Sequence, residues 1–105
     1  MGYNDLSLNQ GKQMANEPTK KEQRLIDRIN KRWPCDYMDL AFFVDEVLTV
    51  TSEQPPDNGE AICSYYGEGF GVPYPSIHEE LEAMADKAGM YWEWRHAGGI
   101  GAYNK

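Results

Sequence analysis

The sequence predicts an α+β fold: a small sheet of two to four strands with about three helices packed on one face. Three observations point there. Capping boxes precede apolar stripes at Thr19 and Ser76, a two-residue alternation runs from Met90 to His96, and proline- and glycine-rich loops separate these segments. With 105 residues, 41% hydrophobic and 26% charged, the chain has the size and composition of one globular domain. Residues 1–16 read as a flexible N-terminal arm, with Met14 as an alternative start, and residues 17–105 as a single α+β domain.

The first helix follows Pro18. Thr19 and Glu22 have capping-box spacing, and Leu25, Ile26, Ile29 and Trp33 share one face while lysines and arginines cover the rest. Pro34 ends it. A second helix is predicted from Asp36, with Leu40, Ala41, Val44, Val47, Leu48 and Thr51 on one side; the β-branched run Val47–Thr51 leaves a strand open as its ending. EQPPDNG at 53–59 is a loop. Ala61–Tyr66 reads as a strand, GEGFGVPYP as a second loop, and Ser76 with Glu79 as the cap of a third helix. That helix carries Ile77, Leu81, Met84, Ala85 and Ala88 on one stripe and stops at Gly89. Met90–His96 is the clearest strand, and Ile100–Asn104 returns as a short edge strand. The strand–helix–strand unit at 61–96 allows a parallel pair with a right-handed crossover. Leu25, Ile29, Leu40, Val44, Ile62, Leu81, Met84 and Trp92 are the predicted core.

Charge divides the chain. The formal net charge is −7, yet residues 1–34 hold seven bases against four acids, whereas residues 35–91 hold twelve acids and one base, Lys87. An acidic chain does not coat nucleic acid, so no direct nucleic-acid contact is expected. No membrane association is expected either, since no apolar run approaches the roughly 20 residues of a spanning helix. The N-terminus lacks the pattern of a signal peptide, and two separated cysteines, Cys35 and Cys63, fit reduced thiols in a cytoplasmic protein.

Four constellations bear on function. The GEGFG loop, before a helix start, offers Gly67, Gly69 and Gly71 with Phe70 and Tyr74 as a ligand-binding alternative for a nucleotide-like molecule. Its spacing matches no phosphate fingerprint, and Glu68, Glu79 and Glu80 oppose an anion. Cys35, Cys63, His78 and His96 have metal-ligand chemistry, but each stands alone in sequence, so no metal and no cofactor is expected. No nucleophile–base signature is present, and the reading is non-enzymatic, with no catalytic residue assigned.

The fourth is Phe42. On a helix it lies about 200° from Leu40, among Asp39, Asp45, Glu46 and Glu53. An aromatic ringed by carboxylates suits a basic protein surface. The expectation is therefore a protein-binding module, a small acidic inhibitor, adaptor or regulator. It engages a basic, nucleic-acid-binding surface of a partner through Asp39, Phe42, Asp45, Glu46, Glu53, Glu79 and Glu80. In size, acidity and aromatic content the chain is like small accessory proteins of mobile elements in a general way. Oligomeric state is not legible.

Overall fold

The structure, a computed structural model, describes residues 17–64 and 76–105. The arm at 1–16 and the loop residues Gly67, Gly69, Phe70, Gly71 and Tyr74 lie outside the described residues.

Helix α1 (Lys20–Arg32) forms where its signals place it. Thr19 Oγ1 accepts the Glu22 N–H, and Glu22 Oε1 accepts the Thr19 N–H, completing the capping box. Leu25, Ile26 and Ile29 are buried, and Trp33 is fully enclosed at the C-cap.

Residues 36–51 are not a second helix. Strand β1 (Ala41–Val44) and strand β2 (Val47–Thr51) form an antiparallel hairpin closed by the Val44–Val47 pair. Asp45 and Glu46, between them, have φ of 53° and 66°. Positive φ at both central residues is the mirror-image turn whose twist matches the flanking strands. The usual Asn-Gly or Asp-Gly mark is absent, so the turn carries no local signal. What forms the hairpin is distant: Leu48–Thr51 pairs with Gly99–Ala102. Tertiary pairing outweighs the helical spacing of a segment already rich in β-branched residues.

Strand β3 (Cys63–Ser64) and strand β4 (Ser76–Ile77) form a separate two-stranded antiparallel ladder. The parallel pair that the 61–96 unit allows is therefore absent among the described residues. Because Ser76 and Ile77 are extended against this ladder, Ser76 does not cap helix α2 (Glu79–Lys87). His78 does: its Nδ1 accepts the Glu80 N–H at 3.0 Å. Gly89 ends α2 with φ +74°, a left-handed stop that glycine adopts without a Cβ penalty.

Strand β5 (Met90–His96) and strand β6 (Gly99–Asn104) complete a four-stranded antiparallel sheet in the order β1-β2-β6-β5. The expected edge strand β6 is thus interior, and β1 and β5 are the edges. A register shift between Trp94 and His96 bends the end of β5. The edge at β1 is shut by Asn30 of α1, whose amide donates to Ala41 O and accepts from Ala41 N. The class is α+β with two helices rather than about three among the described residues.

Both helices share one core with the sheet, in which Leu25, Ile29, Leu40, Ile62 and Leu81 are buried as expected. Met84 and Trp92 are half-buried against it, and Trp92 Nε1 donates to Leu81 O, tying β5 to α2. Val44 is the exception at 41% exposed, because on a strand it points away from Ala41 and Phe43. No described helix is long and apolar enough to cross a membrane.

Candidate functional site

Strand alternation gives the sheet two faces, and neither helix packs on the second. That face carries Phe42, Val44, Val47, Tyr91, Arg95 and Tyr103. Its centre is shaped by Gly101, where a Cβ would stand 2.9 Å from Val47 Cγ1, 3.0 Å from Arg95 Cδ and 3.1 Å from Tyr103 Oη. Without a side chain there, Arg95 stretches across the strands, donating to Thr49 Oγ1 at 3.3 Å and reaching Asp45 Oδ2 at 3.8 Å. This covers Thr49, which like Thr51 is buried on the face that neither helix covers. Beside it the Tyr91 and Tyr103 rings sit 6.0 Å apart, and Tyr91, like Val44, remains 41% exposed.

The acids predicted to share a helical face with Phe42 are dispersed. Asp45 and Glu46 cap the hairpin tip at one end of β2, and both are exposed. Glu53 follows the other end of β2, next to Gly98. Five strand residues separate these points, roughly 17 Å at the rise of a β-strand. Asp39 is exposed ahead of β1, and Glu79 and Glu80 open α2. Only Phe42, Asp45 and Glu46 stay together on the hairpin. Tyr91 and Arg95 join them from β5. The sequence alternation already grouped Tyr91, Glu93 and Arg95, but nothing local linked them to residues 42–46.

A second polar cluster joins α1, the loop before β3 and α2. Glu60 accepts from Trp33 Nε1 at 2.8 Å and pairs with His78 Nε2 at 2.9 Å. Arg32 forks onto Glu80 at 2.8 and 2.9 Å and lies 4.8 Å above the Trp33 ring. Since His78 Nδ1 already accepts the Glu80 N–H, Nε2 carries the proton that Glu60 receives. Both ring nitrogens are thereby engaged, leaving none to take a proton from a substrate. The Trp33 and His78 bonds hold the Glu60 carboxyl below the usual carboxylate range, and the Arg32 fork does the same for Glu80.

These lowered values predict an acid limb. A carboxylate with a depressed folded pKa contributes stability above its unfolded value of about 4.3, lost as pH falls through the folded value. The double substitution Glu60→Gln/Glu80→Gln is expected to flatten the fall of the urea midpoint below about pH 4.3. An acid limb as steep as that of the unaltered chain would assign acid unfolding to other groups.

The four metal-type residues are not assembled. Cys63 is buried, its thiol pushed up to about 12 by desolvation, with Sγ 3.6 Å from Thr51 O. His78 is committed to Glu60, and His96 Nδ1 accepts the Gly98 N–H. Among the described residues no group of three or more His, Cys, Asp or Glu is placed to hold a metal ion. No family model matches the chain, and no curated protein or solved structure matches it.

Proposed function

We propose that this chain is a non-catalytic protein-binding module that engages a basic partner surface through the open face of its sheet. One observation carries the reading: two consecutive acidic residues, Asp45 and Glu46, occupy left-handed backbone at a turn next to Val44, on the sheet face that also carries Phe42 and, across the sheet, Tyr91. Left-handed conformation costs an ordinary residue about 1–2 kcal/mol, and glycine would relieve it. Carboxylates at that cost, at the rim of a face where Val44 and Tyr91 are exposed and Phe42 and Tyr103 half-buried, support a role for the charges outside folding. Tyrosine supplies large contact area at low entropy cost, and rim carboxylates steer a cationic surface toward it. The net charge of −7 adds long-range attraction for the same partner.

Partner capture from the native host, quantified by mass spectrometry for parallel variants, tests this. A true partner is retained by the unaltered chain, depleted by Tyr91→Ala and Phe42→Ala, and reduced by Glu46→Lys. Glu53→Lys, at the far end of β2, should leave it in place. Equal retention by all four variants would falsify the assignment of this face.

A further inference from the structure

Several of the described lysines and arginines gather in one place. A groove of about 320 Å³ runs between α1 and α2, lined by Lys21, Arg24, Arg28 and Lys87 over an apolar floor of Leu25, Met84 and Ala88. No acid lines it. Lys21 donates to Asn104 Oδ1, while Arg24, Arg28 and Lys87 have neither hydrogen bond nor ion pair among the described residues. Of the other described cations, Arg32 pairs with Glu80 and Glu60, Arg95 with Asp45 and Lys105 with Asp86, whereas Lys20 and Lys31 project singly from α1 outside the groove. A groove with a cationic rim and an apolar floor fits an acidic segment that carries a bulky apolar side chain.

The same molecule displays such a segment. In Asp36-Tyr37-Met38-Asp39, Met38 packs against the core and turns Tyr37 outward, where it is 80% exposed, the most exposed of the large hydrophobic side chains described. Asp36 and Asp39 flank it, both exposed, and neither carboxylate has a partner among the described residues. This segment follows the C-terminal end of α1, while the groove spans Lys21 to Arg28 nearer its start, so it cannot reach its own groove as folded. We propose that a second copy of this chain docks here, each copy placing Tyr37 in the other's α1–α2 groove with Asp36 and Asp39 against Arg24 and Arg28. A two-fold arrangement makes the same contact twice and closes the assembly as a dimer. The two chains repel overall at −7 each, but screening over about 8 Å at physiological salt leaves the facing patches dominant.

Sedimentation velocity at about 0.5 mM in physiological salt, high enough to populate a dimer of near-millimolar affinity, reads the outcome. The unaltered chain is expected to dimerise, and Tyr37→Ser, Arg24→Glu/Arg28→Glu and Asp36→Lys/Asp39→Lys are each expected to be monomeric. Circular dichroism confirms that each variant is folded. The two charge-reversed variants complement each other at both contacts, so mixing them should restore a heterodimer that neither forms alone. A monomeric unaltered chain overturns the proposal. So does a dimer that survives the groove variants, or one lost instead through Tyr91→Ala on the sheet face, or a mixture of the reversed variants that stays monomeric.

Discussion

Trp33→Ala is expected to destabilise the fold by about 3–5 kcal/mol, the range for deleting a large buried aromatic. Trp33 is fully enclosed where the end of α1 meets the loop before β3 and the start of α2. Its removal opens a cavity, strips Glu60 of a donor at 2.8 Å and takes away the ring beneath Arg32 and beside His78. Total stability for domains of this class is only about 5–15 kcal/mol, so this variant would stand close to unfolding. Trp33→Phe isolates one part of the loss. It keeps an aromatic ring but not the N–H, and a cost of roughly 1–3 kcal/mol is expected from the forfeited bond and the smaller ring. Urea denaturation of both variants makes the comparison. An alanine variant within about 1 kcal/mol of the unaltered chain would show that the site collapses onto other side chains.

The second large effect runs in the opposite direction. Replacing Asp45-Glu46 by Asn-Gly should stabilise the chain by roughly 1–2 kcal/mol, most of it from Glu46→Gly, because both residues hold positive φ. Asp45 also loses its contact with Arg95, but at 3.8 Å with a carboxylate 76% exposed that pair contributes little. If the open sheet face is the working surface, the more stable variant should also associate more slowly with its partner. Rim carboxylates act chiefly on the encounter rate. Gained stability with full binding would separate the strain from function. No gain in stability would mean that the native turn carries no strain to relieve.

The β-hairpin at 41–51 and helix α1 show what made one segment legible and another not. In α1 the information is local: Thr19, Glu22 and Pro34 bound the helix, and Leu25, Ile26, Ile29 and Trp33 repeat at its own period. The same holds for Met90–His96, where alternation, bounded by Gly89 and by Ala97-Gly98, predicts a strand and its inward face. At 41–51 the apolar residues satisfy both periods. Leu40, Ala41, Val44 and Leu48 fit a helix, while Ala41, Phe43, Leu48 and Val50 fit the two arms of a hairpin. Glu46 at the turn speaks for neither.

The candidate site inherited that ambiguity. Phe42, Asp45 and Glu46 stood out in the sequence, but their companions were drawn from a helical face that does not form. Tyr91, Arg95 and Tyr103 come to them only through the pairing of β2 with β6 and β6 with β5. The basic groove is of the same kind. Charge clustering in α1 was plain in the sequence, whereas Lys87 beside Arg24 and Arg28 requires α2 to lie against α1. By itself, then, the sequence determined the α+β class, the bounds of α1 and the inward face of β5, because each rests on contacts within one turn or one strand. Tertiary structure alone decided the hairpin, the open sheet face and the groove, because each depends on residues far apart in the chain whose pairing no local pattern encodes.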